Sequence, residues 1–282
     1  MPTDGDFRRI AIVGVGLIGG SVAFAVRRVL PDAAVIGVDT DDVVVAARQL
    51  GALTEASTEL DAVRGADLVV LAAPVHANLD ILSSLPDLIS ASTLVTDTGS
   101  TKRAIVRRAA SLSPRPDFVG GHPLAGAARG GIEASRADLF ERRPWILTPD
   151  RDTPRAIVDR LSAFIRALGA RPLEIDADTH DRLLAFTSHL PQLTASALMH
   201  VVGQTVGEAG LQVSGGGLAD TTRVAASPAR IWTDICATNT DELLPALDRL
   251  IDTLQQVRAD LADGRSIEPL FESAQKWRAK LR

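Results

Sequence analysis

Apolar positions recur with two different periods in this chain, and the change from one to the other divides it. Up to about residue 175, short β-branched and aliphatic runs alternate with amphipathic stretches. Arg8 to Val13, Ala34 to Asp39, Asp67 to Ala73, Thr93 to Thr96, Trp145 to Thr148 and Arg171 to Ile175 read as strands, the third closed by Pro74. Asp117 to Val119 leads into the run Gly120-Gly121-His122-Pro123. Ser21 to Leu30, Asp42 to Leu50 and Arg155 to Leu168 read as helices, the last two stopped by Gly51 and Gly169. Strands alternating with helices predict a mostly parallel, doubly wound sheet.

After Asp176 the period of two disappears. Asp178 to about Val206 predicts one long helix, and Pro191 inside it predicts a kink near Thr187, where the proline ring meets the carbonyl four residues back. Gly215-Gly216-Gly217 predicts a loop, and Asn239-Thr240-Asp241-Glu242 has capping-box spacing ahead of a helix from Leu243 to Leu261. Glu268 to Leu281 predicts a last helix. Two domains follow, 1–175 and 176–282, the second all-helical.

The turn after the first strand reads Gly14-Val15-Gly16-Leu17-Ile18-Gly19. Alone such a run is weak evidence. Here a strand precedes it, a helix follows, and Asp39 ends the next strand about twenty residues on. The first two glycines permit the tight turn and the approach of a pyrophosphate, and the third permits close helix–strand packing. The helix N-terminus favours the anion. This is a Rossmann-type dinucleotide-binding domain, with Gly14, Gly16, Leu17, Ile18, Gly19, Asp39 and Pro74 as cofactor-binding candidates. A carboxylate at Asp39 repels a 2′-phosphate, and no basic residue follows it until Arg48, so NAD is expected over NADP.

Composition narrows the chemistry. The net charge is −5, which argues against a nucleic-acid surface. One cysteine, Cys236, permits no internal disulfide and no cysteine-rich zinc site, and no metal is expected. There is no tyrosine, which excludes a Tyr–Lys acid/base pair. Met1 to Asp6 is short and acidic, unlike a signal peptide, and no apolar run approaches membrane-spanning length; a cytoplasmic location is expected.

In an open α/β sheet the ligand lies outside the carboxyl ends of the strands. Three segments bring polar residues there: Pro74-Val75-His76, Asp97-Thr98-Gly99-Ser100 and Gly121-His122-Pro123. His122 is the candidate proton acceptor, since imidazole titrates near neutrality and the neighbouring glycines are expected to leave room for substrate. Asp97 and Ser100 also have the placement of N-caps, Lys102 that of a solvated charge, and His76 that of an exposed or cofactor-proximal group. In the helical half, His189 stands at the expected kink, where it can serve a ligand or a freed carbonyl. Arg223, in Asp220-Thr221-Thr222-Arg223, suits a bidentate grip on a carboxylate or an ion pair with Asp220.

Taken together these motifs resemble those of prephenate and arogenate dehydrogenases. Gly14 to Gly19, Asp97-Thr98-Gly99-Ser100, His122-Pro123-Leu124-Ala125-Gly126, His180-Asp181, Ser188-His189-Leu190-Pro191 and Asp220-Thr221-Thr222-Arg223 stand in the family's order along nearly the whole chain. The resemblance implies NAD-dependent oxidative decarboxylation in tyrosine biosynthesis. It implies that His122 accepts the proton of the ring hydroxyl, that Ser100 orients His122 and that hydroxyl, that His189 lines the substrate pocket, and that Arg223 binds a substrate carboxylate. One departure concerns substrate choice: several prephenate-using members carry Glu two residues after the HPxAG glycine, where this chain has Ala128 followed by Arg129.

Two rival readings remain. A β-hydroxyacid dehydrogenase would place a catalytic lysine early in its long helix, but no lysine lies between Lys102 and Lys276. A non-catalytic NAD(H) sensor would keep the glycine turn without needing His122, His189 and Arg223 as a set. The apolar positions of Leu243 to Leu261 and Ile267 to Leu281 predict a homodimer through the helical domain, as the resemblance also implies. With the chain ending at Arg282, feedback through an appended regulatory domain is not expected.

Overall fold

The computed structural model describes residues 7–127 and 129–281. Strand β1 (Arg9–Val13) shows how the sheet is buried on both sides. Its successive side chains point to opposite faces. Ile10 and Ile12 pack with α1 (Leu17–Val29) and α5 (Arg155–Ala167), whereas Ala11 and Val13 pack with α3 (Val75–Ser84) and α4 (Arg103–Ser111). Helices on both faces are what a near-continuous apolar strand requires.

The remaining strands are β2 (Ala34–Val38), β3 (Glu55–Ser57), β4 (Leu68–Leu71), β5 (Leu94–Asp97), β6 (Asp117–Pro123), β7 (Pro144–Pro149) and β8 (Arg171–Glu174). They form one sheet in the order β3-β2-β1-β4-β5-β6-β7-β8. Only the β6–β7 pair is antiparallel. From β1 the chain winds outward through β2 and β3, then returns to place β4 on β1's other side. That reversal opens a crevice at the carboxyl ends of β1 and β4. Val13 pairs with both Val38 and Leu71, so Gly14 follows directly into the crevice.

Two expectations for the sheet change. The short edge strand β3 carries only three residues and gave no periodic signal. Strand β6 does not stop at Val119 but runs on to take in His122 and Pro123, with His122 opposite Ile146 of β7. Antiparallel pairing with β7 extends β6 past the point where its parallel pairing with β5 ends, and so holds the histidine on a rigid element.

The helical half begins with α6 (Ala177–Leu184), capped by the Asp176 side chain on the Thr179 N–H at 2.8 Å. The expected kink takes a specific form. Ala185–His189 is wound as a π-helix, directly before α7 (Leu190–Leu211) with Pro191 in its first turn. Gly216 and Gly217 start α8 (Gly216–Thr222) instead of lying in a loop; Gly215 is its N-cap residue. Helices α9 (Ala229–Thr238), α10 (Thr240–Ala262) and α11 (Glu268–Arg278) complete the chain.

Candidate active site

At the dinucleotide turn, the three glycines do different jobs. Gly14 has φ +92°, and a Cβ there would stand 2.5 Å from the Ala73 nitrogen. A Cβ on Gly19 would stand 1.9 Å from the Gly14 carbonyl oxygen. Both are needed for backbone packing. A Cβ on Gly16 would meet nothing within 4 Å, so this glycine opens onto free space. Gly16 is also the N-cap residue of α1, with no side-chain cap and no acidic residue in the first turn. Unfilled N–H groups at a helix start beside an open glycine fit a dinucleotide pyrophosphate.

Asp39 directly follows β2 beside this turn. Its Oδ2 accepts from the Val15 N–H at 2.7 Å, and its Oδ1 accepts from the Thr40 N–H at 2.7 Å. The backbone thus fixes the carboxylate, while each oxygen keeps lone-pair capacity for ribose hydroxyls. Leu17 and Ile18 lie against the core in the first turn of α1. Pro74 is the exposed N-cap residue of α3.

Beneath His122 lies a buried ion pair. Lys102, expected to be solvated, is fully buried. Its Nζ donates to Asp97, also fully buried, and to the Gly121 carbonyl at 2.7 Å. The Asp97 carboxylate accepts from the N–H groups of Gly99 at 2.8 Å and Gly121 at 3.1 Å. The pair therefore holds both the N–H and the C=O of the residue before His122. Gly120 and Gly121 serve this packing rather than leaving room for substrate. Added Cβ atoms would lie 2.3 Å from Thr148 Oγ1 and 2.5 Å from the Asp97 carbonyl oxygen.

Neither Asp97 nor Ser100 caps the next helix. The N-cap residue of α4 is Lys102, and Asp181 of α6 does the capping. Its Oδ1 accepts from the Lys102 N–H at 2.7 Å, and its Oδ2 from the Arg103 N–H at 2.9 Å. The helical half satisfies a second helix start in the same way: the Val75 N–H at the head of α3 donates to Asp234 of α9 at 2.5 Å, and exposed His76 hydrogen-bonds the same carboxylate. A carboxylate is favourable at either helix start.

Asp181 also begins a chain of imidazoles. Its Oδ1 is 2.7 Å from His180 Nδ1, and His180 Nε2 is 2.8 Å from His122 Nδ1. A carboxylate only accepts, so His180 carries its proton on Nδ1 and offers Nε2 as acceptor. His122 must then donate from Nδ1, which leaves the lone pair on its Nε2. Burial, with His180, Lys102 and His189 as neighbours, holds His122 well below the usual imidazole range. Burial also lowers His180, against the pull of Asp181. Burial works to raise Asp181, but its bonds to His180 and to the Arg103 and Lys102 N–H groups prevail and lower it. At neutral pH the chain is carboxylate, neutral imidazole, neutral imidazole: a base with its tautomer set.

His189 joins this cluster from the end of the π-turn and is 1 % exposed. Asn239 brings it together with Asp181. The Asn239 Nδ2 donates to the Asp181 carbonyl at 2.9 Å and stands 3.2 Å from His189 Nδ1. The expected capping box is not formed: Asn239 is the N-cap residue of α10, but its side chain turns to the site, while Glu242 pairs with Arg103 at 2.8 Å. Ser100 is half-buried in the turn after β5 and makes no side-chain hydrogen bond among the described residues; the partner of His122 is His180. Arg223 is exposed at the end of α8, and the ion pair with Asp220 is not formed. Ala128 lies outside the described residues.

Lys102 and Asn239 are positions at this site that the sequence pattern did not single out, and Asp181 entered only through the His180-Asp181 motif, with no role attached. Lysine and asparagine ahead of helices read as caps or solvated groups unless their burial is known.

Residues 22–174 match the family model of the prephenate dehydrogenase nucleotide-binding domain, and residues 176–275 match that of the prephenate dehydrogenase dimerization domain. The chain is 36% identical to the cyclohexadienyl dehydrogenase of Zymomonas mobilis, covering 98% of this chain and 97% of that protein. It is 34% identical to a prephenate dehydrogenase of Bacillus subtilis, covering 95% of this chain and 75% of that one. Among solved structures, prephenate dehydrogenase from A. aeolicus in complex with hydroxyphenyl propionate and NAD+ superposes with a TM-score of 0.90 at 29% identity, over 99% of this chain and 98% of that one. Synechocystis arogenate dehydrogenase superposes with a TM-score of 0.81 at 28% identity, over 96% and 99%.

Proposed function

Because this chain belongs to the prephenate dehydrogenase family, we propose that it catalyses the NAD-dependent oxidative decarboxylation of prephenate to 4-hydroxyphenylpyruvate, with arogenate as the alternative substrate, in tyrosine biosynthesis. The observation that carries this reading is the buried Asp181–His180–His122 chain. It ends in a neutral base on the same carboxyl edge of the sheet as the glycine turn. Residues 1–175 form the dinucleotide domain and 176–282 the substrate and dimerisation domain.

His122 Nε2 accepts the proton of the ring hydroxyl as the carbinol carbon is oxidised to a carbonyl. Bound NAD+ supplies the two-electron acceptor. Departure of the ring carboxylate as carbon dioxide then makes the ring aromatic and the reaction effectively irreversible. Ser100, whose side chain has no hydrogen bond among the described residues, helps orient the hydroxyl, while His180 orients His122. His189 lines the pocket, and the guanidinium of Arg223, exposed and without an ion pair among the described residues, holds a substrate carboxylate. Gly14, Gly16, Leu17, Ile18, Gly19 and Pro74 surround the dinucleotide, and Asp39 selects NAD over NADP through the ribose hydroxyls.

A homodimer through the helical domain is supported by the match to a dimerization domain. Along α10, Leu244, Ile251, Leu254 and Leu261 are 54%, 46%, 58% and 60% exposed, an apolar stripe that one copy leaves uncovered. No helix of the described residues is long and apolar enough to cross a membrane, and we assign the enzyme to the cytoplasm. The test is NAD+ reduction with prephenate and arogenate side by side, repeated with NADP+. NADH formation is expected with prephenate. No turnover of either substrate overturns the assignment, and equal rates with NADP+ overturn the role of Asp39.

A further inference from the structure

Two buried polar atoms without a partner belong to one hydrogen-bonded pair: His189 Nε2 and Asn239 Oδ1. Asn239 is fully buried. Its amide orientation is fixed, because the atom 2.9 Å from the Asp181 carbonyl oxygen must be a donor. The same amide nitrogen stands 3.2 Å from His189 Nδ1, which therefore accepts. Burial holds His189 down to about 4, so at neutral pH the ring is neutral with its proton on Nε2. That N–H is buried and meets no acceptor among the described residues. A buried donor left unpaired is costly, so a bound group is the natural partner.

We propose that Asn239 is a positioning residue that fixes His189 as the Nε2–H tautomer, making it a hydrogen-bond donor to an acceptor oxygen of the bound substrate. The inference rests on the dehydrogenase reading above and adds a division of labour to it. Asp181 sets both imidazoles to opposite tasks. Through its carboxylate and His180 it leaves His122 with a lone pair on Nε2. Through its backbone carbonyl and Asn239 it leaves His189 with a proton on Nε2. One ring accepts from substrate and the other donates to it, so the two do not compete for the hydroxyl proton.

The test uses the full-length chain with 15N-labelled histidine and Asn239→Asp. The Asn239 side chain makes no cap hydrogen bond, so the exchange takes none from the start of α10. Long-range 1H–15N spectra report the tautomer, with the His189 signal identified by its loss in His189→Gln. In the wild type the proton is expected on Nε2. In Asn239→Asp, where a carboxylate faces Nδ1, it is expected to move to Nδ1. Substrate KM should rise about ten-fold, with the NAD+ KM unchanged and kcat less affected. A wild-type His189 protonated on Nδ1 overturns the proposal whether or not the variant folds. So does an unchanged tautomer in Asn239→Asp, or a variant that loses kcat at constant substrate KM. A wild-type chain that turns over neither substrate would overturn the dehydrogenase assignment separately, because the tautomers are read without turnover.

Discussion

His122 Nδ1 lies 2.8 Å from His180 Nε2. The two rings come from different halves of the molecule, one from β6 and the other from α6. Docking the helical half onto the sheet therefore assembles the base. Asp181, which fixes His180, also caps α4, so the contact that joins the halves is the one that sets the tautomer.

Replacing His122 by Asn should lower turnover by about 10²–10⁴-fold, the contribution of a positioned base. His180→Asn should lower it by about 10–100-fold, because the base remains but its orientation is loosened. NAD+ binding, followed by titration, should be unchanged in both. A His180 variant with wild-type turnover would show that the relay has no part in catalysis.

The pH dependence follows from the buried state of His122. Its neutral form is the base, and its pKa lies well below 6.5. The enzyme thus enters neutral solution with the base already deprotonated. From about pH 6.5 upward, kcat/KM should show no limb due to His122, and it should fall as the pH drops through the lowered pKa. A histidine limb with its midpoint at 6.5 or above would contradict the burial argument.

The glycine turn makes a prediction in which stability and binding separate. Gly14→Ala places a Cβ against the backbone at a positive φ, and should cost about 2 kcal/mol or more of stability. Gly16→Ala adds its methyl to open space and should lower the thermal midpoint of the free protein much less, by no more than the loss of a glycine N-cap. Its NAD+ Kd should rise about ten-fold or more as the pyrophosphate loses its approach to the backbone. Melting curves with and without NAD+ distinguish the two.

Lys102 is the buried cation on which the Gly121 backbone depends. Lys102→Met would leave Asp97 charged and without its ionic partner, at a cost of about 3–5 kcal/mol. Urea unfolding measures this directly. A loss under about 1 kcal/mol, typical of a solvated pair, would argue against the buried arrangement.

The β-branched runs, the glycine turn and Asp39 were legible because each is a local signal. Strand, turn, helix and carboxylate lie within one supersecondary unit. Pro191 likewise announced a kink, though not that it would be taken up as a π-turn ending at His189. The misread positions share a cause. Lys102, Asn239 and Glu242 precede or open helices, and a local pattern assigns such residues to caps or solvent. Here the cap of α4 comes from the other half of the chain while Lys102 turns inward to Asp97 and Gly121, Asn239 turns to Asp181 and His189 of its own half, and Glu242 reaches across to Arg103.

The sequence by itself determined the alternation that makes a doubly wound sheet, the crevice at its reversal point and the family to which its motifs point. These depend on side-chain period and on glycine sterics between near neighbours. What the tertiary structure decided is the protonation pattern of the site. Which nitrogen of His122 or His189 carries a proton depends on partners 50 or more residues apart in the chain, brought to hydrogen-bond distance and shielded from water by packing. Hydrogen bonding and burial are properties of the assembled core, and no local pattern encodes them.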